Sequence, residues 1–589
     1  MRSTALLVCF LLTSPLFAQW ILKPIAPTLE SKKARVADDL PAINLPFWDD
    51  FYQTGDVPGE LWEHSEGVFV NATLGIGSPS YKVATLDGID ANGQVYSENE
   101  LYPGLTDQLM SRKIDLSAFA FDNSIYLSFF WEMGGNGEIP EASGDSLRLQ
   151  FQKADGSWTS VWKRQATQVT TTDAFAQSIL QVTADYRHAE FRFKFESFGS
   201  LQGPFDTWHI DYVYLNSGRF PSHISYKDRT FTGSISSLFE PYQSMPANQF
   251  FLDPAKYLSD QKFQGYNLEV ENPNPFNVDY ELRNTNTGET FTIPEDINTF
   301  PPGQLLIGNL SPPSIPAQYP APDSIVFYLK LSSNFSDADS VINLSVNDSI
   351  SVRYNLYDYF SYDDGTAEFA AGVRQNGTVA MEFNVETKDT LTHIDIHFPA
   401  VIPSSTNTAI TVYVWTDLAE DPVSAKPYTI TASGRNEFQR ITLSTPVVVE
   451  DKVYIGYTQK AADFVGIGLD RSNPSANDKI FFKIDADWEQ NDELNGVLMM
   501  RAVFEDDPTL VLGTSEPKRT FQWYPNPTNG FFKIGEAYSS MSVWTLEGKR
   551  VFEEARKDTH DLSILPSGVY LLKVSLPDNT THQFKLVKK

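Results

Sequence analysis

Apolar and polar residues alternate one for one along much of the chain. In Glu190-Phe191-Arg192-Phe193-Lys194-Phe195-Glu196 the three phenylalanines take one side and the four charges the other. A period of two is the mark of a β-strand with one buried face and one wet face. Leu147, Leu149 and Phe151 repeat the pattern, as do Ile125, Leu127, Phe129 and Trp131. Turn sequences such as Gly134-Gly135-Asn136-Gly137 and Asp155-Gly156 separate the runs. No amphipathic helical stretch of useful length interrupts them. The pattern predicts an all-β protein built of several β-sandwiches.

Breaks in the pattern divide the chain. Residues 1–18 read as a signal peptide: Arg2 is a short positive region, Ala5 to Phe17 is mostly apolar, and the small residue Ala18 precedes Gln19. The apolar run is too short to span a bilayer, and no later stretch approaches that length, so no transmembrane segment is expected in the mature chain. Residues 19–45 read as a loosely ordered lead-in. A first sandwich follows at 46–217. An immunoglobulin-like sandwich with Pro-Pro joints is expected at 218–355, with strands at Tyr266 to Val270 and Ile325 to Leu329. A second jelly-roll-like sandwich is expected at 356–507, opening on Tyr362-Asp363-Asp364-Gly365-Thr366-Ala367-Glu368. A linker at 508–520 leads to a small C-terminal β-sandwich at 521–589.

Composition narrows the function classes. An apolar content of 41% is that of a folded protein, despite 36 prolines. The net charge of −30 argues against nucleic acid or an anionic membrane as partner. The end of the chain departs from this balance: Lys518 to Lys589 holds eleven Lys/Arg against seven Asp/Glu, which supports a separate module. Cys9 is the only cysteine and lies within the leader. Disulfides, thiolate metal sites and a cysteine nucleophile are therefore excluded from the mature chain.

The first sandwich resembles the MAM-like jelly-roll modules of secreted proteins, on Phe47-Trp48-Asp49-Asp50-Phe51, Leu127-Ser128-Phe129-Phe130-Trp131 and Gly203-Pro204-Phe205-Asp206-Thr207-Trp208-His209-Ile210-Asp211. The resemblance implies a site where the first and last strands meet. Calcium takes several hard oxygen ligands from neighbouring loops, and those segments supply Asp49, Asp50, Asp206 and Asp211, with Asp87 and Asp90 as further loop carboxylates. Calcium is thus the one cofactor expected. The competing reading is turn chemistry, in which each Asp accepts backbone N–H groups.

Three other constellations carry less. His393, Asp395 and His397 share one strand face with no evident fourth zinc ligand, and His209 with Asp211 raises the same question. Among the tryptophans of the first block, Trp131 falls in the inward register, whereas Trp158 and Trp162 flank a turn and are better placed to stack on a sugar. His-Glu-x-x-His, Gly-x-Ser-x-Gly and phosphate-loop motifs are absent, and no catalytic residue is assigned.

The last block has a distinct signature. Tyr524-Pro525-Asn526-Pro527-Thr528-Asn529-Gly530 is followed by Leu565-Pro566-Ser567-Gly568-Val569-Tyr570 and a terminal Lys588-Lys589. This order resembles the type A C-terminal sorting domain of the type IX secretion system of Bacteroidota. The resemblance implies Pro525, Asn526, Pro527, Gly530, Leu565, Pro566, Gly568, Tyr570, Lys588 and Lys589 as the sorting signal. It also implies the outer-membrane type IX machinery as partner, and a secreted or cell-surface destination reached through the periplasm. The expected function is an adhesin-like binding protein that contacts a glycan or an extracellular protein through sandwich loops. The alternatives are a secreted hydrolase or its accessory, or a passive surface-layer component.

Overall fold

A computed structural model of the chain describes residues 20–26, 40–505 and 523–589, apart from 101, 142–143, 167–174, 271–274, 292–296, 300–302, 316–324, 334–340, 461, 473, 485–486, 525–527, 535–539, 546–548, 556, 558 and 576–580. The signal peptide, the 508–520 linker and the Pro525-Asn526-Pro527 turn lie outside the described residues. The fold is all-β, as the alternation predicts, and the chain separates into two compact units, 1–507 and 508–589. Among the described residues no helix is long and apolar enough to cross a membrane.

The first strand, β1 (Trp20–Pro24), stands apart from the first sandwich. The strands of that sandwich are β2 (Phe47–Asp49), β3 (Trp62–Glu66), β4 (Phe69–Asn71), β5 (Val83–Leu86), β6 (Gly104–Ser111) and β7 (Tyr126–Met133), followed by β8 (Ser146–Gln152), β9 (Trp158–Gln165), β10 (Ala176–Gln181), β11 (Phe193–Gly199) and β12 (Trp208–Asn216). One sheet runs β10-β7-β12-β5-β4, with β2 also paired to β12; the other runs β3-β6-β11-β8-β9. Alternation decides which side chains meet between them. Phe191, Phe193 and Phe195, Leu147, Leu149 and Phe151, and Leu127 and Phe129 are all fully buried in one apolar cluster with Trp208. Each such side chain removed from water contributes about 1.5–3 kcal/mol.

The second and third blocks are not separated by a break in the core. A single apolar cluster runs from Phe231 through Phe327 and Leu356 to Ile394, Ile455 and Phe504. The six-stranded sheet centred on Pro275–Asn284, Ile325–Ser333 and Ser349–Tyr357 therefore packs within the same hydrophobic body as the sheets built on Asp389–His397 and Lys452–Gln459.

The expected lead-in is partly a strand. β1 pairs antiparallel with Phe369–Val373, from Trp20 opposite Val373 to Pro24 opposite Phe369. Trp20 is buried and meets the ring of Phe482 edge-on at 5.4 Å. The first described segment of the chain thus completes a sheet more than three hundred residues later in sequence, a pairing that leaves no local trace in the sequence.

The C-terminal unit has its own core of Phe532, Met541, Val543, Leu562, Leu572, Val574 and Leu586. Its four-stranded sheet ends on Thr581–Lys588, which pairs antiparallel with Gly568–Ser575.

Trp20→Ala should cost about 3–5 kcal/mol, the usual effect of emptying a buried tryptophan site. Urea unfolding followed by fluorescence checks this; an unchanged midpoint would mean that β1 does not staple the sheet.

Candidate functional site

The sheet β3-β6-β11-β8-β9 turns Phe193, Phe195, Leu149 and Phe151 inward, so the residues between them form its outer face. Lys194 and Glu196 of β11 stand between Met110 and Gln108 of β6 and Gln150 and Arg148 of β8. Gln152 lies opposite Trp158, and Gln150 opposite Ser160. A register shift between Leu149 and Gln150 then brings Trp162 opposite Leu149. That one-residue bulge sends the two β9 tryptophans to opposite faces. Trp162 joins the core, edge-on to Phe129 at 5.1 Å, while Trp158 stays half-buried on the outer face.

The outer face is internally braced. Lys194 Nζ lies 4.8 Å from the centre of the Trp158 ring and ion-pairs with Glu196, which also accepts a hydrogen bond from Gln150 Nε2. The Arg148 guanidinium covers Phe198 at 4.4 Å. With strands about 4.8 Å apart, five of them give a platform roughly 20 Å wide. Side chains already ordered in this way lose little entropy on meeting a ligand.

The structure does not bring the four expected calcium ligands together. Asp49 accepts the Trp62 indole N–H at 2.7 Å and the Phe51 N–H at 2.8 Å. Asp50 accepts the Tyr52 N–H at 3.1 Å and Asn347 Nδ2 at 2.9 Å. Asp211 takes the Ser80 N–H and hydroxyl, at 2.8 and 2.9 Å, and the Tyr212 N–H at 2.6 Å. Asp206 accepts the Ser200 N–H and lies beside Asp145. Tyr212, at φ 51°, sits in a β12 bulge that turns its hydroxyl onto Asp228 at 2.6 Å. These carboxylates cap turns and bind the first sandwich to the second block. Among the described residues no group of three or more His, Asp or Glu side chains has metal-binding geometry. Asp87 accepts the Ile89 N–H, and Asp90 organises its own turn. In the His393–His397 strand, Asp395 is held by Arg440 at 2.7 and 2.9 Å, and His397 Nδ1 meets the Glu437 carbonyl at 2.8 Å.

Several buried acids are held away from ionisation. Burial pushes Glu132 up to about 8, and its Oε1 has no hydrogen bond among the described residues. Burial, then the neighbouring Asp206, raises Asp145 to about 7. Burial likewise brings Asp107 to about 7 and Asp49 to about 6. Burial, reinforced by Asp364, raises Glu368 to about 8. His209 lies opposite Glu132, its Nε2 on the Gly134 carbonyl at 3.1 Å and its Nδ1 2.9 Å from the Thr85 hydroxyl; burial lowers it to about 4. Sequence could not mark Glu132, because it stands at an ordinary polar position of an alternating strand.

A cavity of about 1450 Å³ opens among the loops of the first unit, bordered by residues 70–82, 233–264, 352–366, 435–436 and 471–475.

In the C-terminal unit, Gly530 adopts φ 129° against Ser563, a conformation that favours glycine. The Tyr570 hydroxyl donates to the Pro566 carbonyl at 2.8 Å, Gly568 pairs with Lys588, and the Lys589 N–H reaches the Thr528 carbonyl at 2.9 Å. The described parts of the sorting signature are thus brought together at the junction of the unit's two small sheets. Residues 522–589 match the family described as the secretion system C-terminal sorting domain. The protein is accordingly exported through the type IX system to the cell surface or extracellular space.

A comparison with curated proteins finds no match. Among solved structures, a xylan-binding domain of Paenibacillus barcinonensis is 8% identical, covering 31% of this chain and 99% of its own, with a TM-score of 0.18. A β-glucuronidase of Bacteroides uniformis is 11% identical, covering 47% of this chain and 29% of its own, with a TM-score of 0.20. A cyclase of Fischerella sp. is 16% identical, covering 35% of this chain and 100% of its own, with a TM-score of 0.17. Overlaps this low carry no argument about the ligand.

This geometry has two measurable outcomes. Because the oxygens of Asp49, Asp50 and Asp211 already hold protein donors, millimolar calcium should leave the melting temperature where chelator leaves it; a clear rise would show a cation site. The raised acids favour folding below their unfolded values, and that contribution is lost as pH climbs through about 7–8. His209 acts in the opposite sense, costing stability as pH falls from its unfolded value towards about 4. Because five raised acids outweigh one histidine, melting temperature should fall progressively from about pH 5 to pH 9, and Glu132→Gln should lessen that fall. A Glu132→Gln profile parallel to the wild type would contradict this.

Proposed function

We propose that the exported chain is a glycan-binding protein whose sugar lies on the outer face of the five-stranded sheet, against Trp158. The observation that carries this reading is the half-buried indole on an open, braced polar face. A pyranose ring presents a C–H face to an aromatic plane and hydroxyls at its edge. Trp158 offers the ring face that Lys194 does not cover, and Gln152 and Gln150 of β8 offer planar donors and acceptors beside it, with Arg148 further along the same strand. This reading places recognition on a sheet face rather than on loops. It keeps the MAM-like character of the first sandwich as part of an adhesin-like surface role. Glu196 is buried and tied to Lys194 and Gln150, so it fixes those two side chains rather than meeting a ligand itself.

A glycan array probed with the full secreted chain, followed by titration of the best binder, tests the reading. Trp158→Ala should weaken binding about 5- to 10-fold, the worth of one aromatic stack, with little change in melting temperature. Trp162→Ala should instead lower stability, since that ring is core. Unchanged affinity in Trp158→Ala, or a blank array, would overturn the reading.

A further inference from the structure

The cavity among the loops of the first unit is not used by the Trp158 platform. It is lined by seven Lys or Arg side chains against five Asp or Glu. The chain as a whole carries 45 Lys/Arg against 75 Asp/Glu, so the wall reverses the charge balance of the protein.

The acids of the wall are largely committed to protein partners. Asp363 is held by two guanidinium nitrogens of Arg501. Asp364 accepts the Thr366 N–H at 2.8 Å, the Thr366 hydroxyl at 2.6 Å and the Ser472 hydroxyl at 3.0 Å. Two of the cations are less committed, unlike Arg501 on Asp363 and Lys256 on Glu386. Arg471 donates to the Asn136 carbonyl at 3.0 Å and rests over Phe369 at 4.9 Å, without an ion pair. Arg435 rests over Phe69 at 4.9 Å, and no hydrogen bond or ion pair engages it among the described residues. Asp56, Asp87 and Glu368 are the carboxyls whose field reaches it, none of them in an ion pair with it; burial raises Asp87 and Glu368. A half-buried guanidinium without a carboxylate partner is costly unless something else supplies the anion.

The rest of the wall indicates what carries that anion. Sixteen Ser, Thr, Asn and Gln side chains line the cavity, together with four tyrosines. So many neutral hydrogen-bonding groups match a ligand dense in hydroxyls, and the volume exceeds the roughly 300–1,000 Å³ usual for a single small molecule. We infer that this cavity binds an acidic oligosaccharide, a run of several sugars bearing carboxylates, with Arg435 and Arg471 taking the carboxylate. A guanidinium fork suits a planar carboxylate, which it can meet with two parallel hydrogen bonds.

The test is calorimetric titration of the full secreted chain with oligogalacturonate, its methyl ester and an oligoglutamate peptide. Oligogalacturonate should bind, weaken steeply between low and high salt, and lose about tenfold or more on esterification or in Arg435→Gln. The esterified ligand needs no variant, so the result does not depend on Arg435→Gln folding. No binding, equal binding of the ester, tighter binding of the peptide, or an unaffected Arg435→Gln that retains the wild-type melting temperature would each overturn the inference. Neutral sugars read at the Trp158 platform and carboxylate dependence read here fail independently.

Discussion

Everything in the first unit depends on long-range burial, because the single cysteine of the sequence, Cys9, leaves no pair for a disulfide within the chain. β1 returns to Phe369–Val373, and the apolar cluster from Phe231 to Phe504 joins the second and third blocks. Polar contacts secure the first sandwich to the second block. Tyr212 reaches Asp228, Asn347 reaches Asp50, and Arg219 donates to the Tyr126 and Tyr214 carbonyls. Each of these buried groups is costly if its partner is removed, so together they make the junction specific as well as stable.

That architecture explains the unusual acids. An exported protein of net charge −30 gains solubility from its exposed carboxylates, but Glu132, Asp107, Asp145 and Glu368 are inside. Withdrawn from water, they hold their protons more tightly than exposed carboxyls do.

The strands were legible because alternation is a local property: Phe191, Phe193 and Phe195 face the core as their spacing requires. The sorting domain was legible because its three blocks, Tyr524 to Gly530, Leu565 to Tyr570 and Lys588-Lys589, are each short local signatures in a fixed order. The roles of the aspartates were not. Asp49, Asp50, Asp206 and Asp211 sit where the jelly-roll resemblance puts a cation, yet each is consumed by nearby N–H or O–H donors or by another carboxyl. Nor was the fate of the tryptophans legible. Trp158, Ser160 and Trp162 have the same parity, so simple alternation puts both indoles on one face, and the bulge opposite Leu149 separates them. The return of β1 and the shared core of the second and third blocks are pairings across hundreds of residues, with no short-range signal to read.

The central claim is that a glycan is held on the outer face of the β3-β6-β11-β8-β9 sheet. Hydrogen–deuterium exchange of the secreted protein, with and without the best glycan from an array, tests this most directly. Protection concentrated in peptides covering Ser146 to Gln165 and Phe193 to Gly199 is the predicted result. Protection confined to other strands or loops, with these segments unchanged, would contradict the account.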